Sequence, residues 1–148
     1  MQNLVRMMDA DGTLCVIAAD TTETVREMHR LHGTAKVVSA ALGRLLPAAS
    51  LMGSMLKGEK DSITLKVSAD GAASPITAVS DSNGNVRGYA GRNDVVLPLN
   101  TKGKLDVSGA VGKNGTLTVI KDLGMRDPYV GQVPLVSGEI AEDVTAYY

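Results

Sequence analysis

Two histidines, His29 and His32, stand three residues apart and are the side chains whose type and spacing best suit chemistry. On a helix this spacing brings both imidazoles to one side, where they could hold a metal ion or transfer a proton. No third ligand lies nearby in the sequence, and no nucleophile stands beside either ring. We therefore predict no metal site and no catalytic base, and interpret the pair as the solvated end of a helix that stops at Gly33.

The single cysteine, Cys15, lies in the apolar stretch TLCVIA. One cysteine cannot form an intramolecular disulfide, and a cysteine-based zinc site needs further ligands. No basic residue adjoins Cys15, so nothing in the sequence favours its thiolate. We predict a buried, inert side chain in preference to a reactive one.

Two glycine-rich stretches resemble nucleotide-binding loops but lack the required spacing. In GAVGKNGT, only two residues separate Gly109 from the Gly112-Lys113 pair where a phosphate loop needs four, and a strand pattern follows where a helix is needed. The glycines of GNVRGYAG are spaced unlike a dinucleotide fingerprint, and no helix follows them. The first stretch is interpreted as a flexible hairpin loop. Gly88 and Gly91, in the second, mark a bend or a close backbone approach.

Composition excludes several classes of partner. The 148 residues carry 15 basic and 16 acidic side chains, so the net charge of −1 favours neither nucleic acid nor an anionic membrane. Four tyrosines are the whole aromatic content, which leaves almost no stacking platform for single-stranded nucleic acid. The N-terminal residues show neither a basic region nor an apolar run of the secretory type, so a cytoplasmic location is expected by default.

The first third of the chain predicts a hairpin and two helices. Asp11-Gly12 between apolar runs indicates a tight hairpin turn, and a short helix is expected from Thr22 to Leu31. Residues 34–57 predict a long helix that is apolar on nearly every face, with Pro47 expected to kink or split it. Its internal arginine, its proline and its many small residues favour burial over a membrane span.

The remaining two thirds predict strands. Residues 62–69 alternate polar and apolar, and Asn83-Gly84 marks a second hairpin turn. Two more strands are expected in TLTVIKDLG and YVGQVPLVSG. A final helix is expected after Ser137 as its N-cap, with Ile140, Val144 and Tyr147 on its apolar face. The fold class predicted is α+β, a mainly antiparallel or mixed sheet packed on one long, apolar, proline-kinked helix, in a single domain spanning residues 1–148.

These residues by themselves favour a binding or interaction module over an enzyme, because no catalytic constellation is visible. Two other functions stay open. The first is a small-molecule enzyme that uses the Gly/Lys-rich loop 101–115, and the second is a passive dimerisation or scaffold domain.

Five long segments, in order, resemble the N-terminal domain of the thirty-three-kilodalton heat-shock chaperone family, most closely its Gram-positive type. They are DTTETVREMHRLHG, AALGRLLPAASLMGSMLKGE, NGNVRGYAG, VVLPLNTKGKLDVSGAVGKNGTLTVIKDLG and YVGQVPLVSGEIAEDVTAYY. The resemblance covers essentially the whole chain. Pro47 and Met28 depart from what it leads us to expect, without breaking it.

The resemblance implies an ATP-independent, redox-regulated holdase that binds unfolding client proteins under oxidative stress. It further implies a linker and a C-terminal zinc module, whose four cysteines, in a CxC and a CxxC pair, hold zinc when reduced and form disulfides when oxidised. Homodimers, including domain-swapped ones, are implied as well.

None of those four cysteines is present, and Cys15 matches none of them. We therefore expect no zinc or other cofactor in this chain, although the parent family binds one zinc. We also expect the chain to be a chaperone core truncated inside its last helix.

A client-binding or linker-docking surface is expected on one face of the sheet, left bare where the linker is absent. The residues predicted for it are Ile76, Val79, Val86, Tyr89 and Val130. The alternation of side chains does not show which face the long helix covers, so these residues are equally readable as plain core.

Overall fold

The computed structural model describes residues 3–148 and confirms the α+β class. Within these residues there are seven strands and four helices. In chain order they are β1 (Asn3–Met8), β2 (Cys15–Asp20), α1 (Thr22–His32), α2 (Lys36–Gly53), β3 (Ser62–Ala69), β4 (Ile76–Asp81), β5 (Val86–Ala90), α3 (Val107–Val111), β6 (Gly115–Asp122), β7 (Tyr129–Pro134) and α4 (Ala141–Tyr147).

The strands form two antiparallel sheets. A five-stranded sheet has the order β5-β4-β3-β6-β7, and β1 pairs with β2 in a separate hairpin. The central strand β3 shows the predicted alternation, since Ile63, Leu65 and Val67 are fully buried whereas Lys66 between them is exposed. Glycines with positive φ form both predicted hairpin turns, at Gly12 (φ 68°) and Gly84 (φ 79°).

Helix α2 is the centre of the core and packs chiefly over β4 and β5. Its side chains Val38, Leu42 and Leu45 have no exposed surface. The helix is shorter than the predicted 34–57 and runs through Pro47 without interruption, so the expectation that Pro47 splits it is wrong. The predicted kink stays a prediction. Close packing explains the small residues, because a Cβ at Gly53 would overlap the side chain of Ser80.

The stretch GAVGKNGT, residues 109–116, is not the flexible hairpin loop predicted for it, because its first residues belong to a helix. Residues Val107–Val111 form the short helix α3, and the Asp106 carboxylate caps it by accepting the N–H of Gly109 at 3.0 Å. Val107, Ala110 and Val111 are fully buried. The prediction failed because three apolar side chains among the glycines gain more from burial in the core than the loop loses in chain entropy.

The segment before α4 also departs from prediction, because Ser137 does not cap this helix. The helix begins at Ala141, and the fully buried Asp143 supplies the cap from its first turn. Its carboxylate accepts the N–H groups of Val136 at 2.7 Å and Ile140 at 2.9 Å. An acidic residue at this position satisfies several loop donors at once, which the single hydroxyl of Ser137 cannot do.

Carboxylates also close the turns of the five-stranded sheet. Asp70, at the end of β3, accepts the Asn114 side-chain amide at 2.8 Å and the backbone N–H of Lys113 at 3.1 Å. The hydrogen bond from the Asn114 side chain, followed by the one from its backbone N–H, lowers the pKa of Asp70 below its usual value. This contact ties the β3–β4 turn to the start of β6.

The depressed pKa of Asp70 makes this contact sensitive to acid. Because the folded-state pKa lies below the unfolded one, the contact stabilises the fold above about pH 4 and is lost as the pH falls through the folded-state value. We expect Asp70→Asn to lower the melting temperature at pH 7. The difference in melting temperature between the variant and the parent chain should become smaller below about pH 4. Thermal melts from pH 7 to pH 2, followed by circular dichroism, measure this. Asp127→Asn is the control, because Asp127 is exposed and makes no hydrogen bond within residues 3–148. A difference in melting temperature that stays constant with pH would contradict this role of the Asp70 carboxylate.

Candidate functional site

The five-stranded sheet has two unlike faces. Helices α2, α3 and α4 pack on the inner face, where Leu65, Ala78 and Val119 are fully buried. The side chains of alternate residues point the other way. We call these residues the outer face: Arg87 and Tyr89 of β5, Thr77 and Val79 of β4, Thr64 and Lys66 of β3, Thr118 and Ile120 of β6, and Val130 and Gln132 of β7.

The strand register arranges the outer face in rows. Val79 pairs with Thr64, Thr64 with Ile120, and Ile120 with Val130, which gives a weakly polar row across four strands. Arg87 of β5 ends this row on one side. Since the helices lie on the inner side, no helix covers this row within residues 3–148. Val130 is exposed, and the other three members are half-buried.

The neighbouring row of the outer face is polar. It runs from Tyr89 through Thr77, Lys66 and Thr118 to Gln132. The Gln132 side-chain amide donates to the Thr118 hydroxyl at 3.1 Å. The Thr77 hydroxyl is buried and has no hydrogen-bond partner within residues 3–148.

Charge on the outer side of the sheet is separated by row. The cations Lys66 and Arg87 lie in the two rows of the outer face, whereas the carboxylates of Asp81 and Asp122, which point to the same side, lie in the next row at the end of the sheet. The Asn85 side-chain amide donates a hydrogen bond to the Asp81 carboxylate at 2.9 Å. This bond does most to lower the pKa of Asp81 below its usual value. The Asp81 carboxylate is thus hydrogen-bonded within the β4–β5 turn. The outer face as defined carries hydroxyls, two cations and apolar side chains.

The structure separates the five residues predicted for a client surface. Val79, Tyr89 and Val130 lie on the outer face, and Tyr89 and Val130 expose 54% and 56% of their surfaces. Ile76 and Val86 point to the inner face, where Ile76 is completely buried. The expectation that Ile76 is bare is therefore wrong, because α2 covers its side of β4. The docking role of the surface stays a prediction.

Sequence reasoning missed Ile120 and Thr64, which join Val79 to Val130. The signal lay in the segment TLTVIKD, where Leu117 and Val119 occupy one parity and Ile120 the other. Which parity faces the core is decided by the pairing with β3, and that pairing joins residues about fifty positions apart in the sequence.

A second exposed apolar surface lies on the β1–β2 hairpin. Its exposed side chains include Val5, Met7, Met8, Leu14 and Val16. Cys15 is exposed as well, so the prediction that it is buried is wrong. The physical reason is that the hairpin forms a two-stranded sheet of its own, outside the five-stranded one, so that most of its apolar side chains stay in solvent.

Both histidines are exposed at the end of α1, as their predicted position beside Gly33 requires. His29 Nδ1 lies 3.1 Å from the Ser39 hydroxyl and 3.3 Å from that of Thr34. Within residues 3–148 no group of three or more histidine, cysteine or acidic side chains is placed to hold a metal ion.

The Gly/Lys-rich loop places its backbone donors in internal contacts. The Asn100 side chain accepts the N–H of Lys102 at 2.9 Å and of Lys104 at 3.0 Å. The N–H groups of Lys113 and Asn114 point to Asp70. A phosphate would have to displace these carboxamide and carboxylate oxygens to bind the same N–H groups.

The chain belongs to the Hsp33 family, whose model, described as "Hsp33 protein", matches residues 2–148. The 33 kDa chaperonin of Clostridium tetani is 51% identical over 145 residues, which are 98% of this chain and 49% of that protein. The 33 kDa chaperonin of Clostridium perfringens strain SM101 is 50% identical over 146 residues, 98% of this chain and 46% of that protein.

Structural comparison gives the same family. The crystal structure of the 33 kDa chaperonin from Thermotoga maritima superposes with a TM-score of 0.92 at 40% sequence identity, covering 97% of this chain and 49% of that one. The chain thus spans about half the length of the relatives it matches. None of the helices within residues 3–148 is long and apolar enough to cross a membrane.

Proposed function

We propose that this chain is the client-binding core of an ATP-independent holdase, and that it holds unfolding proteins on the outer face of the five-stranded sheet. The observation that carries the proposal is the row from Val79 to Val130, which runs across four strands and has no helix on it. Membership of a family whose relatives are named chaperonins supports it.

The chemistry of this face suits unfolded polypeptides in general. Apolar side chains favour any client that has lost its own core, since burial contributes about 25 cal/mol for each Å² of apolar surface. The hydroxyls of Thr64 and Thr118 can donate a hydrogen bond to a backbone carbonyl or accept one from a backbone N–H. A face of this kind selects the unfolded state and not a particular sequence.

Redox regulation, in this proposal, belongs to residues outside the chain. A four-cysteine zinc site needs four thiolates, and this chain has Cys15 alone, so its residues do not fit such a site. The zinc and the disulfide chemistry implied by the family resemblance are therefore assigned to a further module. Action on cytoplasmic clients and assembly as a homodimer are part of the same proposal.

A passive dimerisation or scaffold domain is the alternative, supported by the exposed apolar side chains of the β1–β2 hairpin. It predicts self-association without any protection of clients. The enzyme alternative in loop 101–115 predicts saturable binding of a phosphate ligand there, which requires release of the N–H groups now held by Asn100 and Asp70.

Light scattering of a heat-denatured model client, under reducing conditions, tests the proposal. The chain in excess is expected to suppress aggregation, and Val130→Glu is expected to remove most of that suppression by placing a charge in the row. Val136→Glu is the matched control, because Val136 is 64% exposed but lies beyond the sheet, after β7. Absence of suppression by the parent chain, together with self-association, would favour the scaffold.

A further inference from the structure

Strand β5 forms one edge of the five-stranded sheet, and half of its backbone groups point away from the sheet. The Asp81 N–H donates to the Asn85 carbonyl at 3.1 Å, and the Gly91 N–H donates to the Pro75 carbonyl at 2.8 Å. These two bonds fix which residues face β4. By alternation, Val86, Gly88 and Ala90 turn their N–H and C=O groups to the open side, where no strand pairs with them within residues 3–148.

Helix α1 lies over this open edge, and a groove separates it from β5. The groove has a volume of about 340 Å³, and its walls are α1 and residues 85–88, where β5 begins. Met28 and Leu46 form its apolar floor, and Leu31 stands on its α1 wall with 62% of its surface exposed. The groove therefore combines unpaired backbone groups with apolar surface.

The position of α1 limits what can enter. Helix α2 packs over β4 and β5, and α1 packs against α2 and β5. Because packed helices lie about 8–10 Å apart and strands about 4.8 Å apart, α1 extends beyond the edge of the sheet. A second copy of this chain that paired through its own β5 would bring a second α1 into the same space. One isolated extended strand meets no such obstacle.

Charge indicates which strand fits best. Arg87 projects to the outer face at this edge and forms no ion pair within residues 3–148, although its charge helps to lower the pKa of the nearby Asp81 carboxyl. Glu23 and Glu27 of α1 also line the groove, and each is paired with an arginine of its own helix. An added strand would place one of its outward side chains beside Arg87, where a carboxylate is favoured. Its other side chains would face Met28 and Leu31, where apolar groups are favoured.

We propose that the groove between α1 and β5 binds one extended segment of an unfolded polypeptide by strand addition, with alternate apolar side chains facing α1 and a carboxylate beside Arg87. The proposal rests on the proposed chaperone function and adds to it a second, backbone-directed contact. It explains how one binding site can be indifferent to most of a client's sequence, since every extended chain offers the same backbone groups.

Fluorescence polarisation with two labelled octapeptides tests this site. In both peptides valine alternates with threonine, and one central threonine is replaced by glutamate in the first and by lysine in the second. The parent chain is expected to bind the glutamate peptide at least about fivefold more tightly than the lysine peptide. Arg87→Glu is expected to reverse that order.

Proline variants separate the open edge at β5 from an open strand edge elsewhere in the chain. Ala90→Pro removes an outward N–H of β5 and is expected to weaken binding at least about fivefold. Arg6→Pro, the control, removes an outward N–H of β1 in the separate hairpin and is expected to change binding less than about twofold. Circular dichroism verifies that each variant is folded. If Ala90→Pro does not fold, the order of peptide affinities in Arg87→Glu still tests whether peptides bind in the groove.

Three results would overturn the groove proposal: no binding of either peptide, equal losses in both proline variants, or an unchanged peptide order in Arg87→Glu. Its failure is distinguishable from failure of the chaperone function. Suppression of client aggregation without peptide binding leaves the function standing and removes the groove. Peptide binding in the expected order without suppression leaves the groove and removes the holdase.

Discussion

Replacing Asp143 with alanine is expected to lower the free energy of unfolding by about 3 kcal/mol. The carboxylate is fully buried and accepts backbone N–H groups from Val136 at 2.7 Å, Ser137 at 3.0 Å and Ile140 at 2.9 Å. Without it, these donors lose their acceptor in a segment that water reaches poorly. The backbone of Ile140 adds to the lost stability, because its φ of 68° is unfavourable for a β-branched residue and is maintained only by the contacts around it.

Urea unfolding followed by circular dichroism measures this change. Glu142→Ala is the control, since Glu142 is exposed in the same turn of α4 and its loss should change stability by less than about 0.5 kcal/mol. Asp143→Asn is expected to fall between the two, because it keeps one acceptor oxygen. Equal midpoints for Asp143→Ala and Glu142→Ala would show that the loop donors find other partners.

Replacing Leu45 with alanine is expected to lower the free energy of unfolding by about 3–4 kcal/mol, the second large effect. Leu45 has no exposed surface and lies near the middle of α2, which packs over the inner face of the sheet. Removing its branched end leaves a cavity that the surrounding strands cannot close without losing their register.

The matched control is Leu31→Ala, which removes the same atoms from a helical leucine that is 62% exposed. Its loss should change stability by less than about 1 kcal/mol. The two variants are compared by urea unfolding at equal protein concentration. Similar midpoints for both would mean that α2 is not the centre of the core.

The two proposed contact surfaces are continuous at one edge of the sheet. Arg87 and Tyr89 belong to the outer face, and both project from β5, whose backbone forms one wall of the groove. A client segment seated in the groove would therefore bring neighbouring parts of its chain over the outer face. The Val130→Glu and Ala90→Pro variants probe opposite ends of this surface.

Much of this protein was determined by the sequence alone. Asp11-Gly12 and Asn83-Gly84 fix two hairpins locally, because glycine tolerates the positive φ that both turns need. The apolar periodicity of residues 34–57 predicts a buried helix, and α2 lies within that range. The α+β class follows from such local signals, and the five ordered segments identified the family.

Tertiary structure decided what depends on distant partners. Ile76 is buried and Val130 is exposed because α2 packs on only one side of the sheet. The alternation of side chains along a strand is the same whichever side the helix covers, so the sequence pattern does not show which side is buried. Cys15 is exposed because its hairpin forms a sheet of its own. The cap by Asp143 and the groove beside β5 depend on which backbone donors remain unpaired after folding, and that is a property of the assembled sheet and its helices.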